Sequence, residues 1–112
     1  MSDCIFCKIV AGEIPSERLV DDDELIVFRD IQPQAPTHLL AIPKRHIEGI
    51  SATTSADALL VGRLIDALRR VAAEQGLEEY RIATNCGATA GQSVFHLHFH
   101  LVGGQPLRSQ VA

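Results

Sequence analysis

The chain has no surplus of positive charge: ten Lys and Arg stand against 14 Asp and Glu, a formal net charge of -4 over 112 residues. That balance disfavours a broad electrostatic footprint for nucleic acid but leaves a single nucleotide admissible as a ligand. Long hydrophobic runs are also missing, so no segment reaches membrane-spanning length. The start, MSDCIFCKIV, has neither the basic nor the long apolar stretch of a signal peptide. These absences predict a cytoplasmic protein with no nucleic-acid partner and no membrane partner. Cysteine is too scarce for a disulfide framework, since there are three. In a reducing compartment Cys4 and Cys7 then need a metal or redox explanation, and Cys86 needs none. What is present is ordinary globular composition, 46% hydrophobic and 21% charged. The length suits one domain spanning 1–112, with a core to Gly104 and a tail from Gln105.

Local patterns place the elements. Ile5 to Ala11, closed by Gly12, reads as a short N-terminal helix. ERLVDDDELIVFRD gives two strand-like runs around Asp21 to Asp23, which predicts a hairpin. IQPQAPT is a proline-punctuated loop, and HLLAIPK returns as a strand that Pro43 ends, for want of an N–H to pair. Thr54 and Asp57 are placed to cap a long helix that runs to about Gln75 and stops at Gly76. Leu60, Leu64, Leu68 and Val71 form its apolar stripe, with Arg63, Asp66, Arg70 and Glu74 on the solvated side. YRIATN is a strand, CGATAGQS a glycine-rich loop, and Val94 to Val102 a long final strand. Hairpins outnumber crossovers, so the expected class is α+β, an antiparallel sheet covered on one side. A final strand left at the sheet edge would invite a second copy of the chain.

Three of the five histidines, His96, His98 and His100, alternate with Leu97 and Phe99 in VFHLHFHLVGG. On a strand such residues share one face, roughly 6.5 to 7 Å apart, and leave Phe95, Leu97, Phe99 and Leu101 to pack under the long helix. Two chemical readings are open. The histidines can hold a catalytic zinc, or one imidazole can attack an electrophilic phosphorus and form a covalent intermediate that water resolves. The strand alone does not choose between them. The loop before it, GATAGQS, is built of small residues that let backbone N–H groups and the Ser93 hydroxyl approach an anion. An anion held by Gly91, Gln92 and Ser93 would lie within reach of His98, with the Asn85 amide as a further donor.

QSVFHLHFHLVGG resembles the signature of the histidine-triad (HIT) nucleotide hydrolases and transferases. FRDIQPQAPTHLLAIPKRHI, Phe28 to Ile47, is similar to the upstream block of the family's Hint-like branch. The likeness runs from about Cys4 to Gly104. It implies a HIT-like fold, with about five antiparallel strands, one long helix and a short N-terminal helix, the sheet continuing across a homodimer. It also implies action at the α-phosphate of purine nucleotides through a covalent nucleotidyl-histidine, with purine nucleoside phosphoramidase activity first in view and no cofactor in the chemistry. Dinucleoside polyphosphate hydrolysis and a non-enzymatic nucleotide-binding module are the alternatives. By the same likeness His98 is the nucleophile, His100 contacts the phosphate or bridging atom and helps protonate the leaving group, and His38 manages protons beside them. Asn85, Gly91, Gln92 and Ser93 match phosphate-binding positions, and Asp30 matches the carboxylate that takes the ribose hydroxyls. Ile5, Phe6, Ile9, Phe28 and Ile31 match the slot for the base.

Cys4-x-x-Cys7 has no strand before it, which removes the thioredoxin-type redox reading. A structural zinc wants two more ligands. With His38, His98 and His100 given to chemistry, His46 and His96 remain, and zinc-binding members of the family use the same four positions. The tail QPLRSQVA lacks the tryptophan of animal Hint proteins, so leaving-group preference is not implied.

Overall fold

The computed structural model describes residues 3–108. Its elements are α1 (Ile5–Val10), β1 (Arg18–Asp21), β2 (Leu25–Arg29), β3 (Thr37–Pro43), α2 (Ala58–Glu74), β4 (Tyr80–Ala83) and β5 (Phe99–Gly103). The strands form one five-stranded antiparallel sheet in the order β1-β2-β3-β5-β4. This is the α+β architecture expected from the sequence. The β1–β2 turn is held by Asp22, whose Oδ1 accepts the N–H groups of Glu24 at 2.8 Å and Leu25 at 3.0 Å, so the acidic run is a turn because its first carboxylate caps it.

Helix α2 starts and stops for the reasons its sequence suggests. Thr54 and Asp57 form a capping box around a 3-10 turn, Ser55–Asp57, that leads into the helix. At the far end Gly76 takes φ +76, and Leu77 N–H donates to the Ala72 carbonyl at 2.9 Å. Only a glycine enters that left-handed cap without strain. The buried stripe Leu64, Leu68 and Val71 meets Val27, Leu39, Leu97, Phe99 and Leu101 on one face of the sheet. Arg69 and Arg70 pair with Asp66 on the outer side.

The structure corrects three expectations. The sheet is covered on both faces: α1 lays Phe6 and Ile9 on the opposite side, against Ile26, Phe28, Leu40 and Ile42, so β2 and β3 are nearly continuous buried runs. The guanidinium of Arg18 donates to the Ile9 carbonyl and ties down the end of α1. Secondly, the last strand is not the long Val94–Val102 element. Its ladder with β3 ends at the pair Ala41 and Phe99. Beyond that pair the Pro43 carbonyl is taken by His96 Nε2 at 2.8 Å, and Leu97 N–H donates to the Ile47 carbonyl at 2.6 Å. The peeled segment leaves Phe95 47% exposed, not under the helix. Thirdly, β5 lies between β3 and β4, so the edges of the sheet are β1 and β4.

Among the described residues no helix is long and apolar enough to cross a membrane. The tail returns along the sheet edge, where Arg81 donates to the Arg108 carbonyl at 3.0 Å; the rest of the tail lies outside the described residues. Leu68→Ala, which deletes a fully buried side chain between α2 and the sheet, is expected to cost about 2–5 kcal/mol, read as a lowered urea midpoint at unchanged slope.

Candidate active site and metal centre

A cavity of about 620 Å³ opens on the α1 side of the sheet. Its apolar lining includes Ile5, Phe6, Ile9, Phe28 and Ile31, and its polar lining includes Asp30, His38, Asn85, Gly91, Ser93, His98 and His100. Twelve of the thirteen residues expected to act on a substrate thus line one space. The exception is Gln92. Its side chain is 5% exposed and does not line the cavity. Oε1 accepts Gly87 N–H at 2.8 Å, and Nε2 donates to the carbonyls of Glu48 at 2.8 Å and Val94 at 3.1 Å. Its own N–H donates to the Gly87 carbonyl at 3.0 Å. Gln92 is therefore a clamp beneath the glycine loop, its side-chain and main-chain donors engaged with carbonyls. Gly91 takes φ +100 where the loop rejoins the chain, a conformation that keeps a side chain out of the cavity wall.

The histidines divide as the ladder breaks. His98 and His100 face the cavity with ring centroids 5.0 Å apart, and Phe6 stands edge-on to His98 at 5.1 Å. His98 is held from behind, its Nδ1 lying 2.7 Å from the His96 carbonyl. A carbonyl only accepts, so Nδ1 carries the proton and Nε2 keeps the lone pair. His38 Nε2 lies 3.0 Å from His100 Nδ1 and 3.4 Å from Asp30 Oδ2, and His38 Nδ1 lies 3.1 Å from the main-chain N of Gln34. Burial lowers the pKa of His98, against opposing pulls from the His96 carbonyl and Asp30. Burial also lowers His100, with help from the charges of His98 and His38, to about 4. His100 is therefore neutral at pH 7.

His96 belongs to a second cluster. Cys4, Cys7, His46 and His96 bring one ligand atom each within 4.8 Å of one another. Four of their separations run from 3.2 to 3.6 Å. Tetrahedral zinc with Zn–N of about 2.0–2.1 Å and Zn–S of about 2.3 Å needs ligand–ligand edges of about 3.3–3.8 Å, so the set fits. His96 Nε2 lies 2.8 Å from the Pro43 carbonyl, which puts its proton there and turns the Nδ1 lone pair to the cluster, as a metal-binding histidine requires. Burial pushes the Cys7 thiol up, and so does Cys4 beside it. The sequence contributes Cys4 as the N-cap of α1 and Cys7 one turn on. Cys86 is an exposed loop thiol, held below its usual pKa by hydrogen bonds to Ser51.

The family described as "Scavenger mRNA decapping enzyme C-term binding" matches residues 3–110. The chain is 45% identical over 105 residues to an uncharacterized HIT-like protein of Synechocystis, covering 93% of this chain and 92% of that one. The chain belongs to the HIT family. It is 41% identical over 110 residues to the purine nucleoside phosphoramidase of Escherichia coli, covering 96% and 92%. A solved HIT family hydrolase from Clostridium thermocellum matches this HIT fold with a TM-score of 0.94 at 39% identity, over 100% of this chain and 99% of that one. A histidine triad protein from Clostridium difficile matches at 0.93 and 37%, over 98% and 97%. Hydrolysis is the reaction class to which this HIT site belongs.

Several lining residues had no signal in the sequence. Ile14, Pro15, Ser16, Gln32 and Gln34 also line the cavity, brought there because the segment after α1 and the β2–β3 loop fold over the same sheet face. The His100 shift has a pH signature. Its folded pKa of about 4 lies below the ordinary 6.5, so between those values the unfolded chain binds the extra proton. Stability contributed by the neutral ring is full above pH 6.5 and is lost as pH falls toward about 4. His100→Asn is expected to flatten the fall of the urea midpoint across that window.

Proposed function

We propose that this HIT protein hydrolyses purine nucleotides that carry an amine on the α-phosphate, through a nucleotidyl intermediate on His98. The observation that carries this reading is the 2.7 Å bond from His98 Nδ1 to the His96 carbonyl, which aims a neutral Nε2 lone pair at the cavity. A neutral imidazole attacks phosphorus without first losing a proton. The shape of the cavity supports a nucleotide: an apolar slot for a base, Asp30 for the ribose hydroxyls, and Asn85, Gly91 and Ser93 for the phosphate. Small residues at Gly91 and Ser93 let fixed donors meet charge as it builds on the phosphoryl oxygens. The similarity to the E. coli phosphoramidase supports the choice of leaving group.

In the first displacement His98 Nε2 bonds to phosphorus and the amine departs with the bonding electrons, taking up one proton. Water then attacks the same phosphorus, its hydroxyl stays on the phosphate, His98 is released, and the water's second proton balances the one the amine took. His100 lines the same wall and is assigned to the leaving atom as a hydrogen-bond donor. Cys4, Cys7, His46 and His96 are assigned a structural Zn²⁺, which when bound ties α1 to the segment before β5. The chain is assigned to a homodimer with the sheet continued across its interface, and the cytoplasm is its proposed compartment.

Acid quench shortly after mixing with an adenosine phosphoramidate is expected to leave one adenylyl mass on the wild-type chain and none on His98→Gly, with turnover in His98→Ala lower by roughly 10³-fold or more. An adduct that persists without His98 would sink this assignment. For the metal, zinc chelation is expected to lower the unfolding temperature by roughly 5 °C or more and His96→Ala to mimic it. Loss of turnover at unchanged unfolding temperature would mean instead that the metal takes part in the chemistry.

A further inference from the structure

We propose that the main-chain amide of Gln34 is the positioning group of the catalytic pair, because it decides which nitrogen of His38, and through it of His100, carries the proton. The inference rests on the reading of His98 and His100 as the reacting residues. A backbone N–H only donates, and this one is 3.1 Å from His38 Nδ1. That nitrogen is then an acceptor, and a ring that accepts at Nδ1 holds its single proton on Nε2. His38 Nε2–H faces two acceptors, His100 Nδ1 at 3.0 Å and Asp30 Oδ2 at 3.4 Å. With its Nδ1 accepting, neutral His100 carries its own proton on Nε2.

His98 is set the opposite way round by the His96 carbonyl. Two adjacent rings therefore present different faces to the substrate, a lone pair from His98 and an N–H from His100. Each polarity starts from a main-chain group, one carbonyl and one amide, whose role as acceptor or donor no pH change reverses. A second proton on His100 would aim its Nδ1–H straight at the His38 Nε2–H, so the amide also opposes charging of that ring.

The same bond settles what the cluster Asp30, His38 and His100 is for. Their ligand atoms lie within 4.8 Å of one another, close enough for a metal. A metal there would need the lone pair of His38 Nε2, and the Gln34 amide keeps a proton on that atom. The arrangement is a tautomer lock and differs in this from the cysteine-containing cluster, where the Pro43 carbonyl points the His96 lone pair inward. Pro33 and Pro36 flank the amide and restrict the turn that aims it. Because the donor is main chain, it leaves no residue type to recognise, and the sequence at position 34 excludes only proline.

The test is long-range ¹H–¹⁵N imidazole NMR on the full-length, ¹⁵N-histidine-labelled protein at about pH 8, above the ordinary histidine range. His38 and His100 are expected to show the proton on Nε2, and His98 on Nδ1. A proton on His38 Nδ1, or signals averaged between tautomers for His38 or His100, overturns the proposal. Replacing residue 34 by the α-hydroxy analogue of glutamine converts its N–H to an ester oxygen. It is expected to release the His38 and His100 tautomers and to lower turnover roughly tenfold, while AMP affinity and the unfolding temperature stay near wild type. Unchanged tautomers in the ester overturn the proposal, whereas Gln34→Ala, which keeps the amide, is expected to retain them. The NMR reading needs no substrate, so it stands or falls separately from the adenylyl-adduct test of His98.

Discussion

The ladder between β3 and β5 ends at Ala41 and Phe99, and the layout of both sites follows from that break. Leu97 turns to the Ile47 carbonyl, β5 begins two residues later, and the segment before it is free to point His96 at the cysteines. The unpaired Pro43 carbonyl then holds the His96 ring, and the carbonyl of His96 holds the His98 ring. Two hydrogen bonds in series thus connect the cysteine–histidine cluster to the proposed nucleophile. A regular strand through this region would have used those carbonyls in the ladder and left both rings free to rotate.

Holding several imidazoles in a buried corner costs desolvation, and the structure meets that cost with neutrality and full pairing. His96 is 0% exposed and His38 and His98 are 5% exposed. Among the described residues no buried side-chain nitrogen or oxygen lacks a hydrogen-bond partner. Burial lowers the pKa values of His96, His98 and His100, so each ring keeps one donor and one acceptor. A ring in that state has a defined polarity once either end is tied, which is why single carbonyls and amides suffice to orient the whole group. Phe6 stands edge-on to both His96 and His98, so α1 closes the two sites together.

Much of the fold was legible because its signals are local. The capping box at Thr54, the glycine stop at Gly76 and the apolar stripe of α2 are each decided within a few residues of chain, and the structure keeps all three. The expected long final strand failed because alternation of apolar residues marks which side a chain faces and says nothing about whether a partner strand is there to pair. Phe95 kept the alternation and lost the cover. Gln92 matched a phosphate position in the motif, but its amide reaches Gly87, Glu48 and Val94, contacts that depend on how three loops meet.

Sequence by itself determined the chemistry on offer: five histidines, a Cys-x-x-Cys pair and a glycine loop, in an order that places the histidine row after the loop. It also determined the sheet-and-helix alternation and the face that Leu97, Phe99 and Leu101 present to α2. The division of the histidines, implied in the sequence only by family likeness, has its physical basis in the tertiary structure, because the role of an imidazole depends on which of its two nitrogens meets an acceptor. Those acceptors and donors, the carbonyls of Pro43 and His96 and the amide of Gln34, are main-chain atoms common to every residue type. Their identity is invisible in a string of side chains, and it is the packing of β3, β5 and the β2–β3 loop that brings them into place.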